Sequence, residues 1–202
     1  MKTEIEVKFL NVDFDEVRRN LESLGGVCEQ PMRLMRRVLS QQHKRSPDSD
    51  YSSFLRLRDE GDKVTLTYKE FREKTLTGAT EQEVVVSNFD ETKAILESAG
   101  ITFTTFQESR RETWKVGNVE VVLDEWPWLN PYIEIESDSE EAVKRMAAQL
   151  GFSWDDAVFG ATNSAYAVQY PDGRNSRDLI SLSEIRFGAP LPDIFKPAKE
   201  TR

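Results

Sequence analysis

The chain has 202 residues and a formal net charge of −9, with 27 Lys and Arg against 36 Asp and Glu. That length suits one domain with a proper core and makes two full domains a tight fit, while the acidic balance argues against nonspecific binding to nucleic acid or to an anionic membrane surface. The apolar segments are short and interrupted by charges, with no leader that has an apolar middle, which predicts a soluble cytoplasmic protein; the single Cys28 rules out an internal disulfide, fits a reducing compartment, leaves no thiolate cluster for zinc, and reads as a structural residue.

Residues 2–10 read as a strand in which Glu4, Glu6 and Lys8 share one face while Ile5, Val7 and Phe9 take the other. Asp13 then caps a helix over 14–24, with Phe14, Val17, Leu21 and Leu24 on its apolar face and Gly25-Gly26 closing it. Strands follow near 32–40, 52–59, 63–71 and 80–87, the second and third joined by the hairpin turn Asp59-Glu60-Gly61-Asp62. The alternation recurs in them: Arg56 and Arg58 with Leu55 and Leu57, then Thr65, Thr67 and Lys69 with Val64, Leu66 and Tyr68. Asn88 or Asp90 caps a second helix that runs to Ala99 and stops at Gly100. Strands near 102–116, 118–125 and 131–137 come next, with Gly117-Asn118 as a tight turn and Glu134 and Glu136 alternating with Ile133 and Ile135. The stretch 139–150 is helical by pattern, with Ala142, Met146, Ala147 and Leu150 on one face, and a shorter helix spans 161–169. After Tyr170 the composition changes, so a domain over 1–170 and an extension over 171–202 are expected, the extension weakly structured and ordered around Ile180, Leu182, Ile185 and Phe187.

Charged alternation alone does not choose between a solvated face and an interior one. The helices supply a partner for the apolar strand faces. If they cover the outside of a closed antiparallel sheet, an α+β architecture, the charged faces line a tunnel.

The ordered set Glu4-x-Glu6-x-Lys8, Leu55-Arg56-Leu57-Arg58, Thr67-Tyr68-Lys69, Glu81-x-Glu83, Arg111-x-x-Trp114, Asp124 and Tyr132-Ile133-Glu134-Ile135-Glu136 resembles the CYTH superfamily of triphosphate tunnel metalloenzymes. The match covers roughly residues 2–168, with Ser164-Ala165-Tyr166 similar to the Ser-Tyr that begins the family's closing helix. The resemblance implies an eight-stranded antiparallel barrel with helices outside, and the activities of inorganic triphosphatases, thiamine triphosphatases and class IV adenylyl cyclases. The chain departs from the pattern at Ser109, where members often carry Lys and where Arg110 is the neighbouring substitute, at Arg36-Arg37-Val38-Leu39, which replaces an aromatic run, and at His43-Lys44, where some cyclases carry His-Phe.

Triphosphate chemistry needs cations for the phosphate oxygens and a hard divalent metal. Glu4, Glu6, Asp124, Glu134 and Glu136 are oxygen donors of the kind Mg²⁺ or Mn²⁺ prefers. The resemblance singles out Glu4, Glu6 and Glu134 among them and, with Lys8, makes these the catalytic set. Lys8, Arg56, Arg58, Lys69 and Arg111 are the expected phosphate grip, with Glu81 and Glu83 completing the ligands or holding the basic side chains. Arg18-Arg19 and Arg36-Arg37 read as exposed charges, His43 as a loop residue without a role, and Trp126 and Trp128 as rim or core residues. The leading expectation is metal-dependent hydrolysis of a triphosphate-containing small molecule, with no nucleic acid or membrane partner; an adenylyl cyclase and a noncatalytic polyphosphate or nucleotide sensor are the alternatives, and the oligomeric state is left open. Retention of the carboxylates favours an enzyme, because an anion binder gains little from them.

Overall fold

Period-two patterning becomes a ring of strands in the computed structural model, which describes residues 2–43, 52–72 and 79–197. The strands are β1 (Lys2–Leu10), β2 (Val27–His43), β3 (Ser52–Asp59), β4 (Val64–Phe71), β5 (Ala79–Val86), β6 (Thr105–Val116), β7 (Val119–Trp126) and β8 (Leu129–Ser137). Neighbours run β2-β3-β4-β5-β1-β8-β7-β6, and β6 returns to β2 in a register from Val27↔Lys115 to Leu39↔Thr105, so the antiparallel pairings close on themselves. A two-residue strand, β9 (Glu184–Ile185), adds to β6 in parallel. β1 divides its edge: residues 2–4 pair with β5, and further along Lys8 exchanges two backbone hydrogen bonds of 3.0 Å with Val158.

Among the described residues there are four α-helices: α1 (Phe14–Ser23), α2 (Phe89–Ser98) and α3 (Glu140–Gln149) pack on the outside of this ring, and α4 (Thr162–Gln169) borders its interior through Thr162, Asn163 and Ser164. The caps of the first three are legible in the sequence. Asp13 accepts from the amides of Asp15 and Glu16 at 2.8 and 3.2 Å, Asn88 from Glu91 and Ser139 from Ala142, each worth about 1 kcal/mol. α1 and α3 bring Val17, Leu21, Val143 and Met146 onto the apolar faces of β1, β7 and β8, among them Val7, Leu123 and Ile133. α2 sets Phe89 against Val38 and Leu57. Leu21 has no exposed surface, so cutting it to Ala removes roughly 2–5 kcal/mol. With the apolar strand faces taken by helices, the alternate, charged residues face inward.

Residues 171–197 are more fully packed than the expected weakly structured extension, with Leu182 and Ile185 ordering it as expected. Leu179, Ile185 and Phe195 are buried with Trp126, Tyr132 and Tyr166, and Phe195 stacks on Tyr166 with centroids 5.0 Å apart. Trp128, in the turn between β7 and β8, has φ +63°, a conformation that costs a bulky residue energy unless its surroundings impose it. Here they do: its indole donates to Ala189 O at 2.6 Å and its carbonyl accepts from Gln169 and from the Tyr170 hydroxyl. Two smaller expectations also change. Cys28 is exposed on β2, not buried, and β2 extends over Val27–His43 because it pairs with β6 along one part and with β3 along another.

Candidate functional site

Inside the barrel lies a cavity of about 1290 Å³. Strand register explains which side chains reach it. On β1 and β8 Lys8 stands opposite Glu134 and Glu6 opposite Glu136; on β4 and β5 Thr67 stands opposite Glu83 and Lys69 opposite Glu81; on β6 and β7 Arg111 stands opposite Asp124. The lining includes Glu6, Lys8, Arg56, Arg58, Lys69 and Arg111, and also Glu81, Glu83, Glu134 and Glu136. Glu4 pairs through its backbone with Ala79, and its side chain lies outside the described residues.

One side of the cavity is built on a buried ammonium. Lys8 is 1% exposed, its Nζ 3.4 Å from Glu6 Oε1 and 3.2 Å from Glu134 Oε1, and it donates to Gly160 O at 2.7 Å. Lys69 Nζ lies 3.7 Å from the other oxygen of Glu6, and Glu134 Oε2 accepts from Arg111 Nη2 at 2.9 Å. Burial opposes the charge on Lys8, but Glu134 and Glu6 outweigh it and raise its pKa above the ordinary lysine range. Burial likewise opposes ionised Glu134, and Lys8, Arg111 and Lys69 outweigh it, holding the carboxyl well below its usual range. Gly160, with φ +94°, turns its carbonyl to Lys8 where a Cβ would stand 3.0 Å from Ser164 Oγ, a position that favours glycine.

The other side is built on guanidiniums. Arg58 Nη2 is 2.6 Å from Glu60 Oε1 and 3.9 Å from Glu83 Oε2. Arg56 Nη2 donates to Thr67 Oγ1 at 3.2 Å, and that hydroxyl donates to Glu83 at 2.7 Å. Arg111 is gripped from behind by Asp124, with Nε to Oδ1 at 2.7 Å and Nη2 to Oδ2 at 2.5 Å. Asp124, a candidate metal ligand in sequence, is therefore engaged in fixing Arg111. The Nε atoms of Arg37, Arg56 and Arg58 are buried without a hydrogen-bond partner among the described residues. Burial and the neighbouring Arg56 push Arg58 down to about 10, while Glu60 and Glu83 pull it up.

For a divalent metal the donor chemistry is suitable: Glu6 and Glu134 are hard carboxylate donors that converge on one ammonium and would hold Mg²⁺ or Mn²⁺. Among the described residues no three acidic, His or Cys side chains gather as a complete ligand set.

Sequence reasoning missed three residues. Arg37, read as exposed, is 6% exposed and lines the cavity; Arg36, its neighbour, faces outward and pairs with Asp59 at 2.9 Å. Glu60, taken for a turn residue, is 4% exposed, and although burial opposes its charge, Arg58, Lys63, Arg111 and Arg33 hold it below the usual carboxylate range. Arg33 reaches Glu60 O, Arg111 O and Thr113 across the same end. Arg110, the expected substitute for Lys at position 109, faces outward over Phe187 and pairs with Glu125. Arg18 binds Glu112 with two bonds and ties α1 to β6 outside the cavity. Trp126 borders the cavity and Trp128 packs in the C-terminal cluster; the side chain of His43 lies outside the described residues.

The CYTH domain family model matches residues 2–156. Among solved structures, the PH1012 protein of Pyrococcus horikoshii is 25% identical with a TM-score of 0.62, over 76% of this chain and 93% of that one. A conserved hypothetical protein of Pyrococcus furiosus is 19% identical with a TM-score of 0.61, over 77% and 94%. A Vibrio parahaemolyticus protein described as a "putative adenylate cyclase" is 15% identical with a TM-score of 0.63, over 81% and 97%. No curated protein sequence matches the chain. Among the described residues no helix is long and apolar enough to cross a membrane.

Proposed function

The chain belongs to the CYTH domain family, and from that premise we propose that it is a cytoplasmic, divalent-metal-dependent triphosphatase acting on inorganic triphosphate or a triphosphate-bearing small molecule. The observation that carries this reading is the pairing of three guanidiniums whose Nε donors are buried and, among the described residues, unsatisfied with a carboxylate pair pinned around Lys8. Forked guanidiniums match phosphate oxygens two at a time, and the partnerless Nε–H groups have the donor character such oxygens require.

Charge balance supports a metal. Nine basic and ten acidic side chains line the described cavity, so it carries no excess of positive charge with which to hold a triphosphate. A divalent ion at Glu6 and Glu134 would supply that charge and polarise the phosphate oxygens. Glu134 is held too acidic for a general base, whose pKa works best near the operating pH, so its role is as an oxygen donor and hydrogen-bond acceptor. Lys8 stays protonated and fixes the two carboxylates; Asp124 holds Arg111 in its fork geometry. Hydrolysis is favoured over cyclisation because the cavity's aromatic rings are partly engaged: Arg37 covers one face of Trp126 at 4.5 Å and Lys69 one face of Phe71 at 5.2 Å.

The test is a panel of inorganic triphosphate, ATP and thiamine triphosphate with Mg²⁺ or Mn²⁺, scoring phosphate, pyrophosphate and cyclic AMP separately. Metal-dependent phosphate release, fastest from inorganic triphosphate, is expected. Cyclic AMP as the main product from ATP, with little phosphate from inorganic triphosphate, overturns the proposal.

A further inference from the structure

Ser109 lies on β6 two residues before Arg111, faces the cavity side of the strand and has no exposed surface. The cation that meets it comes from the next strand. Arg37 Nη2 donates to Ser109 Oγ at 2.5 Å, and Arg110 faces the other way. Among the described residues Arg33, Arg56, Arg58 and Arg111 each have a carboxylate within 4.0 Å, and Arg37 has none.

Burial makes that isolation costly, and a cation–π contact offsets only part of the cost. It is 6% exposed, its Nε is partnerless, and its guanidinium lies 4.5 Å over the Trp126 ring, whose own Nε1 is buried and partnerless too. Burial first, then the charges of Arg58, Arg56 and Arg111, push it down to about 9. A buried cation without a counter-ion is strongly unfavourable, and a fold holds one where a ligand supplies the missing charge. Its location says which part of a ligand: the Trp126 ring under Arg37 packs with Tyr166 of α4, whose hydroxyl donates to Pro127 O at 2.7 Å, so Arg37 stands toward the end of the cavity that α4 borders.

We propose that Arg37 is a substrate-binding residue that takes an end phosphate of the triphosphate chain with its Nε and free Nη donors, substituting from β2 for the basic side chain absent at Ser109. This rests on the triphosphate reading above. It assigns the end of the cavity beside Trp126 to an anionic terminus and leaves any organic group to the opposite end.

The experiment measures binding of non-hydrolysable imidotriphosphate with Mg²⁺ to the parent protein, Arg37→Met and Arg37→Lys by calorimetry, together with each protein's ligand-free Tm. Arg37→Met is expected to bind roughly tenfold to a hundredfold more weakly, the loss of one charge-assisted contact, with a Tm equal to or above the parent's because a lone buried charge has gone. Arg37→Lys, which keeps the charge without the fork, is expected between the two; it carries the test alone if Arg37→Met does not fold. Affinity within about twofold of the parent in the variant that folds overturns the role of Arg37, whatever the Tm does. A parent protein that does not bind imidotriphosphate rejects the triphosphate reading itself, so the two failures are separable.

Discussion

Changing Asp124 to Asn asks whether this carboxylate serves the fold through Arg111 or a metal. Asp124 is 1% exposed and accepts two short bonds from Arg111, at 2.7 and 2.5 Å. Asn keeps one acceptor and turns an NH₂ group toward the guanidinium, so a donor faces a donor. Removing one partner of a buried pair costs about 3–5 kcal/mol. Arg111 retains its bond to Glu134 at 2.9 Å, which places the expected loss near the lower bound, about 3 kcal/mol. For a domain of this length that corresponds to a fall in Tm of roughly 6–12 °C, readable by circular dichroism in EDTA. Replacing both partners, Asp124→Asn with Arg111→Met, is expected to recover part of the loss, because the cation left behind by the single change is no longer buried. A Tm within about 2 °C of the parent for Asp124→Asn, with Mg²⁺ affinity lost instead, would refute the reasoning and return Asp124 to the metal.

Glu6→Gln and Glu134→Gln are each expected to abolish most Mg²⁺-dependent turnover while the circular dichroism spectrum stays native, and full activity in the double variant contradicts the carboxylate assignment. Glu134 also predicts a pH dependence. Its folded pKa lies below the unfolded value of about 4.3, so the stability it contributes is complete above that value and is lost as pH falls through the lower, folded one. The parent's Tm should therefore fall more steeply below about pH 4 than that of Glu134→Gln, and parallel curves would show that the ion network contributes nothing. Phe195→Ala, at a buried ring stacked on Tyr166, should lower stability by about 3–5 kcal/mol and expose residues 171–197 to protease; unchanged digestion would mean the segment is not held by this contact.

The fold was largely legible because two periodicities meet in it. Glu6 and Lys8 alternate with Ile5 and Val7, and Asp13 caps a helix whose Val17 and Leu21 need an apolar face; packing the second set on Ile5's side leaves Glu6 and Lys8 inside. The C-terminal segment was legible only in part, for the complementary reason. Ile185 and Leu182, expected to order the segment, do so, but Leu179 and Phe195 follow neither a period of two nor one of 3.6, so no local rule selects them, and they are buried because Tyr166 and Trp126 present a surface at that end of the barrel. Glu60 is a similar case: as the second residue of an Asp-Glu-Gly-Asp turn it reads as solvated, and only the pairing of that hairpin with β2 brings Arg33 to it beside Arg58.

Arg37 and Arg110 show where parity reasoning stops on its own. Each is one of two adjacent arginines, so strand alternation guarantees that one member of each pair points inward, but it does not say which. On β6 the answer can be carried along the strand from Arg111, which places Arg110 outside. On β2 it cannot, because register shifts between Cys28 and Gln30 and again between Gln30 and Arg33 interrupt the alternation before Arg37 is reached. Only the pairing of Arg37 with Gln107 on β6 and Arg58 on β3 fixes its face. The bulges therefore have a chemical consequence: they set on the inner face a buried guanidinium that, among the described residues, lacks a carboxylate within 4.0 Å.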